Sequence, residues 1–252
     1  MDTQFDSLII GQPSLDVNID HSGHTIHETG GAVVYSGFAA AALGHRVCVL
    51  PKACGATIDA VSLFASAENI EVHALESPQS TSIENIYHTA DKERRSCRAI
   101  SRIEGYKASE VPEISAKIYH LAGLMRGDIG SEFIEFAERK AMVAVDVQCL
   151  LRSADESSGE MSFRDWPEKH SMLPRIRFLK TDAAEAEILT GSNDRVRAAK
   201  MLFDWGAKEI MITHNTEVIV YDGKKIYAEP LKPRNLSGRS GRGDTCFSAY
   251  IC

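Results

Sequence analysis

A chain of 252 residues, 44% hydrophobic and 25% charged, can bury a large core without disulfide or metal staples, which excludes the disordered, fibrous and mini-protein classes. Its formal charge of −7 repels polyanions and argues against nucleic acid as a principal partner. Six cysteines, at positions 48, 54, 97, 149, 246 and 252, form no Cys-x-x-Cys pair, so reduced thiols are expected rather than a zinc ribbon or disulfide framework.

The N-terminal residues lack a basic signal region, and no apolar run approaches the roughly 20 residues needed to span a bilayer. No membrane partner is expected, and a cytoplasmic location is the default. Ser7-Leu8-Ile9-Ile10-Gly11 is short, apolar and stopped by glycine and Pro13, so it predicts a buried strand that delivers a loop, with Asp16 just beyond. Residues 17–29 are polar and read as a hairpin or flap at the edge of the sheet. Gly30-Gly31 opens an alanine-rich helix that ends at Leu43-Gly44, and a strand follows at residues 46–50.

Residues 59–69 look helical, while residues 81–102 alternate as strands around a charged turn, Lys92-Glu93-Arg94-Arg95. Arg94 or Arg95 is a candidate lid residue reaching over a ligand. Strands at 118–122, 142–147, 177–180 and 209–213 then alternate with helices at 130–140, 183–189 and 195–205. That order argues for a mainly parallel, doubly wound α/β sheet. Residues 153–170 read as a polar surface excursion, and 218–228, broken by Asp222-Gly223, as a hairpin.

Near the C-terminus, Ser237-Gly238-Arg239-Ser240-Gly241-Arg242-Gly243-Asp244 runs into the apolar Thr245-Cys246-Phe247. A glycine-rich turn opening a helix is a prospective anion site, because bare backbone and free amides approach negative charge closely. Asp244, in the first turn, is either a helix-start acid or a base for an attacking hydroxyl. An adhesion role for Arg242-Gly243-Asp244 is rejected because the triplet enters an apolar segment. Asp182 and Glu185, on their own pattern, read as an N-cap and a first-turn acid. Asp146, at a strand end, either contacts a ligand or satisfies local amides. The spacing of His21, His24 and His27 admits a metal site or a polar flap.

Together, Gly11 with Asp16, Gly30-Gly31 through Leu43-Gly44, and Gly241-Arg242-Gly243-Asp244 resemble the ribokinase-like (PfkB) carbohydrate kinase family over nearly the whole chain. The resemblance implies a single ribokinase-like domain over residues 1–252, with a small β flap or lid at about 16–30 and 81–104. It also implies that C-terminal helices of the family lie past Cys252. Asp244 would be the catalytic base, Gly241, Arg242 and Gly243 the anion hole, and Asp16, Gly30 and Gly31 substrate contacts, with Asp146 a further candidate contact from its place at a strand end. Lys180-Thr181-Asp182-Ala183-Ala184-Glu185 is similar to the family's Asn-x-x-Glu element, with Asp182 in place of asparagine, so Asp182 and Glu185 would help hold Mg²⁺.

The implied activity is transfer of the ATP γ-phosphoryl group to a hydroxyl of a sugar, polyol or nucleoside, with a non-catalytic ligand-binding relative as the alternative. A dinucleotide-dependent oxidoreductase is disfavoured because no Gly-x-Gly-x-x-Gly follows the first strand. Three departures stand out. Tyr35 replaces a frequent asparagine, the segment at 52–57 lacks the usual acid, and Thr213-His214-Asn215-Thr216-Glu217 departs from the nucleotide-side Thr-x-Gly-x-x-Gly. The polar flap either covers the site within one subunit or pairs with that of a second copy in a homodimer.

Overall fold

The computed structural model describes residues 4–90, 94–232 and 240–252. Residues 92 and 93 of the charged turn, and 237–239 of the glycine-rich run, lie outside the described residues.

Strand β1 (Phe5–Ile10) enters the core, and the chain then leaves the main sheet for β2 (Ser14–Ile19) and β3 (Thr25–Gly30). Helix α1 (Ala32–Ala42) returns to β4 (Val47–Leu50), followed by β5 (Lys52–Ala53), α2 (Ala60–Phe64), β6 (Ile70–Val72) and β7 (Leu75–Glu76). A second excursion is made by β8 (Thr81–Tyr87) and β9 (Arg95–Ser101). The chain then runs through β10 (Ala116–Leu121), α3 (Ser131–Glu138), β11 (Met142–Asp146), α4 (Gln148–Leu151), β12 (Arg152–Ala154), β13 (Met161–Phe163) and α5 (Lys169–Met172). The rest comprises β14 (Phe178–Asp182), α6 (Ala183–Thr190), α7 (Arg195–Asp204), β15 (Glu209–Thr213), β16 (Glu217–Tyr221), β17 (Ile226–Pro230) and α8 (Arg242–Ile251).

The main sheet has nine strands in the order β17-β16-β15-β14-β11-β10-β1-β4-β6. All neighbours from β15 to β6 are parallel, and β16, near one edge, runs antiparallel to both its neighbours, β15 and β17. Parallel strands covered on both faces need continuous apolar runs, which explains the wholly buried Val47–Leu50. Alternate side chains feed opposite faces. Leu8, Ile10, Cys48 and Leu50 join the core under α3 and α7, whereas Ile9, Val47 and Val49 pack with α1 and Phe64 of α2. Helix α8 covers the same side as α1, inserting Phe247 and Ile251 against Ile118, Ala144 and Met211. Small residues let α1 and α8 approach closely, and Ser248 Oγ donates to the Ser36 carbonyl at 2.8 Å.

The polar flap is not an edge extension of the main sheet. β2 and β3 combine with β8 and β9 into a separate four-stranded sheet, ordered β3-β2-β8-β9, in which β2 and β8 run parallel. Two excursions far apart in sequence thus build one lid. One further expectation is corrected. The helix expected at 59–69 is only Ala60–Phe64, capped by Asp59, because Asn69 instead donates to the carbonyls of Ala41 and His45 at 2.9 and 2.7 Å and directs the chain into β6. The excursion at 153–170 is anchored by Trp166, only 1% exposed, and its Glu160 bridges to Arg98 of the lid.

Candidate active site

Strand order reverses around β1, with β4 and β6 on one side and β10, β11, β14 and β15 on the other. In open α/β sheets ligands bind at the carboxyl ends of the strands beside such a reversal. A cleft of about 620 Å³ lies there, roofed by the lid and floored by Leu124, Gln148, Asp182 and Thr213, which follow or end successive strands. Leu124 is held by Asp128, whose Oδ2 accepts from the amides of Leu124 and Met125 at 2.9 and 2.7 Å and from the side chain of Gln12.

At the lid end the cleft is lined by Asp16, Tyr35, Asn85, Tyr87 and Arg95. Ser14 Oγ donates to Asp16 Oδ1 at 2.8 Å, and burial pushes the Asp16 carboxyl up. Gly31 lines the cleft as well; its φ of 110° and the Gln12 carbonyl, 2.5 Å from where a Cβ would stand, admit only glycine. Gly30 is buried beside Asp16 and leaves room for it, since a Cβ there would come 2.6 Å from Asp16 Oδ2. Arg95 is the lid arginine that reaches the cleft. The three histidines do not converge: His21 and His24 lie in the turn between β2 and β3, and His27 lies within β3. Among the described residues no group of three His, Cys, Asp or Glu side chains is arranged to hold a metal ion.

At the other end α8 begins. Gly241 is its N-cap, with φ 77°, and packs on the Tyr35 ring. Arg242, Gly243 and Asp244 follow in the first turn, where the helix supplies no acceptor for backbone amides and its dipole is positive. All four residues line the cleft. Asp244 belongs to the stripe Asp244, Phe247, Ser248 and Ile251, so packing of the apolar members turns its carboxylate toward the strand ends.

Asp146 does not reach the cleft surface as a substrate contact would. It is 1% exposed and pairs in register with Lys180, which sets both side chains on the same face of the sheet. Lys180 Nζ donates to Asp146 Oδ2 at 2.7 Å, and Asp146 Oδ1 accepts from the Gln148 amide at 3.1 Å. Burial works against ionised Asp146, but the Lys180 charge and a hydrogen bond from Asp244 hold its carboxyl below the usual range. Asp244 is the complement. Burial, and the charge and hydrogen bond of Asp146, outweigh the attraction of Lys180 and push its carboxyl up to about 7. Burial alone would depress Lys180, yet Asp146, Glu185 and Asp244 together keep it charged.

Asp182 and Glu185 form a reciprocal capping box on α6. Asp182 Oδ1 accepts from the Glu185 amide and Glu185 Oε2 from the Asp182 amide, each at 2.8 Å. Asp182 faces the cleft, whereas Glu185 is 2% exposed beneath it, and burial followed by the Asp182 charge pushes its carboxyl up to about 8. Magnesium binds through as few as one carboxylate with donor phosphates and water, so Asp182, the member of the pair that faces the cleft, fits that ion without a full protein cage, with Glu185 fixing it from behind.

The main cleft residue missed in the sequence is Arg152. It begins β12 six residues after Asp146, is 7% exposed and lines the cleft. The one available signal was the strand-end stretch Asp146-Val147-Gln148, whose continuation delivers both Gln148 and Arg152 to the cleft.

No family profile matches the chain. It is 32% identical to a structure described as a pyrophosphate-dependent kinase in the ribokinase family in complex with sulfate, over 97% of this chain and 86% of that one, with a TM-score of 0.89. A complex of a pyrophosphate-dependent ribokinase-family kinase with a pyrophosphate analogue and myo-inositol is likewise 32% identical, over 97% and 85%, at 0.87. The cytidine kinase of Thermococcus kodakarensis is 25% identical over 98% of this chain and 87% of its own length. Identity and coverage of this extent, on a ribokinase-like fold with a cleft at the expected sheet edge, show that the chain belongs to the ribokinase family of kinases, which transfer a phosphoryl group to a hydroxyl acceptor.

Proposed function

We propose that this kinase phosphorylates a hydroxyl of a polyol, sugar or nucleoside held between Asp16 and Asp244, with pyrophosphate as the donor. The observation that carries the reading is the meeting of a partly protonated carboxyl, Asp244, with the open first turn of α8 at one point of the cleft. Asp244 in its ionised form takes the hydroxyl proton as the acceptor oxygen bonds to phosphorus. The bridging P–O bond of the donor breaks, and the leaving phosphate departs with the electron pair. The amides of Arg242, Gly243 and Asp244 bear on the charge of the transferred group, so positioning and neutralisation supply most of the acceleration. Asp182, backed by Glu185, would hold Mg²⁺, which neutralises donor oxygens when bound.

The donor choice rests on two features. The relatives at 32% identity are described as pyrophosphate-dependent. Asn215 and Val218 also stand where a Thr-x-Gly-x-x-Gly turn would leave bare backbone for a nucleotide, and both line the cleft. ATP, the donor implied by the sequence resemblance, is the competing reading.

The test is phosphorylation of a panel of inositols, sugars and nucleosides with Mg²⁺ and either pyrophosphate or ATP, following product by phosphorus NMR. Turnover with ATP alone would overturn the donor assignment. Silence with both donors, combined with a thermal shift from an acceptor, would replace the kinase reading by a ligand-binding role.

A further inference from the structure

A guanidinium cannot lose its proton in a protein, so burying one without a partner is costly unless a ligand supplies the counter-charge. Arg152 is in that position. It is 7% exposed and lines the cleft, yet among the described residues it has no ion pair with a carboxylate and its side chain makes no hydrogen bond. Behind it lies the Phe163 ring, 5.8 Å from the guanidinium carbon, which restricts the side chain from that side. Its charge is felt by both Asp16, at the acceptor end, and Asp244, at the base. Cys97 and Arg95 of the lid and Glu185 below the floor also act on it electrostatically. By contrast, Lys180 is already committed to Asp146.

On the kinase reading above, we propose that Arg152 is a catalytic residue that bonds to the oxygens of the phosphoryl group in transit, opposite the amides of α8. Two faces of the transferred group are then neutralised by different chemistry: fixed backbone dipoles on one side and a buried planar cation on the other. Charge on those oxygens persists through the transfer, and a guanidinium matches two of them at once.

Three variants test this in the active enzyme: Arg152→Met, which preserves bulk against Phe163, Arg152→Ala and Arg152→Lys. Loss of one such donor lowers kcat on the order of 100-fold or more, so Arg152→Met should fall by that factor with acceptor KM little changed. Arg152→Lys should retain intermediate activity. Guanidinium chloride at millimolar concentration should restore part of kcat to Arg152→Ala but none to Asp244→Asn. Near-normal kcat in Arg152→Met, or a loss confined to acceptor KM, would overturn the assignment. So would loss of activity without rescue in a variant whose melting temperature has collapsed, which marks a structural role. Those results in the presence of an active wild type sink this inference alone, whereas a wild type silent with every donor sinks the kinase reading and this inference with it.

Discussion

Lys180 Nζ sits 2.7 Å from Asp146 Oδ2, directly under Gly243, where an added Cβ would come 3.0 Å from Lys180 Cε. A buried ion pair therefore forms the floor on which the first turn of α8, the proposed phosphate site, rests. Breaking such a pair from one side leaves an uncompensated charge and typically costs about 3–5 kcal/mol, while replacing both partners by apolar groups is often tolerated. Lys180→Met should lose stability in that range by denaturant unfolding, and Lys180→Met combined with Asp146→Leu should recover most of it. Recovery of stability without recovery of turnover would separate the floor's structural role from its electrostatic one.

With Asp244 as the proposed base, its carboxyl sets the pH dependence. Its carboxyl is raised from 3.8 to about 7, and only the ionised form accepts a proton. kcat/KM should therefore rise with pH through about 7 and flatten above it. Asp146 contributes to that upward shift by charge and hydrogen bond, so Asp146→Asn should move the rising limb to lower pH. A limb that stays in place in Asp146→Asn would show that burial alone sets the value.

The same shift has a consequence for stability with the opposite benefit. A carboxyl whose pKa is higher folded than unfolded penalises the fold once ionised. The penalty is absent below about 3.8, grows as pH rises toward 7 and is constant above. Asp244→Asn removes it. The variant should be inactive yet more stable than wild type at pH 8, on the order of 1–3 kcal/mol, with the difference vanishing near pH 4. Melting temperatures at the two pH values decide this, and equal stability at pH 8 would contradict the strained-base picture.

Much of this organisation is legible in the sequence because local chemistry dictates it. Runs such as Ile9-Ile10 and Ile210-Met211-Ile212 are apolar on both faces and belong in the middle of a parallel sheet. Asp182 and Glu185 carry their capping box in their spacing. What local pattern does not carry is partner choice. The parallel pairing of Ser14 with Thr81 that unites the lid depends on register between segments 67 positions apart. Asp146 has the same sequence signature whether it faces a ligand or a lysine on the next strand, and Lys180 lies 34 positions away. Arg152 was hidden because α4 spans only four residues, too short for helical periodicity to show which way its neighbours point.

At Gly241 two costs of adding a side chain overlap and can be separated. Its φ of 77° lies in the left-handed region, which costs a residue with a side chain roughly 1–2 kcal/mol. In addition, a Cβ would stand 2.3 Å from Cγ of Tyr35, an overlap no small adjustment relieves. Gly241→Ala should therefore lose more stability than backbone strain alone explains, and should lower turnover by tilting the first turn of α8. Trimming the ring in Gly241→Ala with Tyr35→Ala removes the overlap and leaves only the φ penalty. Relative to Tyr35→Ala, the second substitution should then cost about 1–2 kcal/mol. If Gly241→Ala costs the same with and without the ring, the Tyr35 contact does not fix this turn, and the proposed anion site owes its shape to the backbone alone.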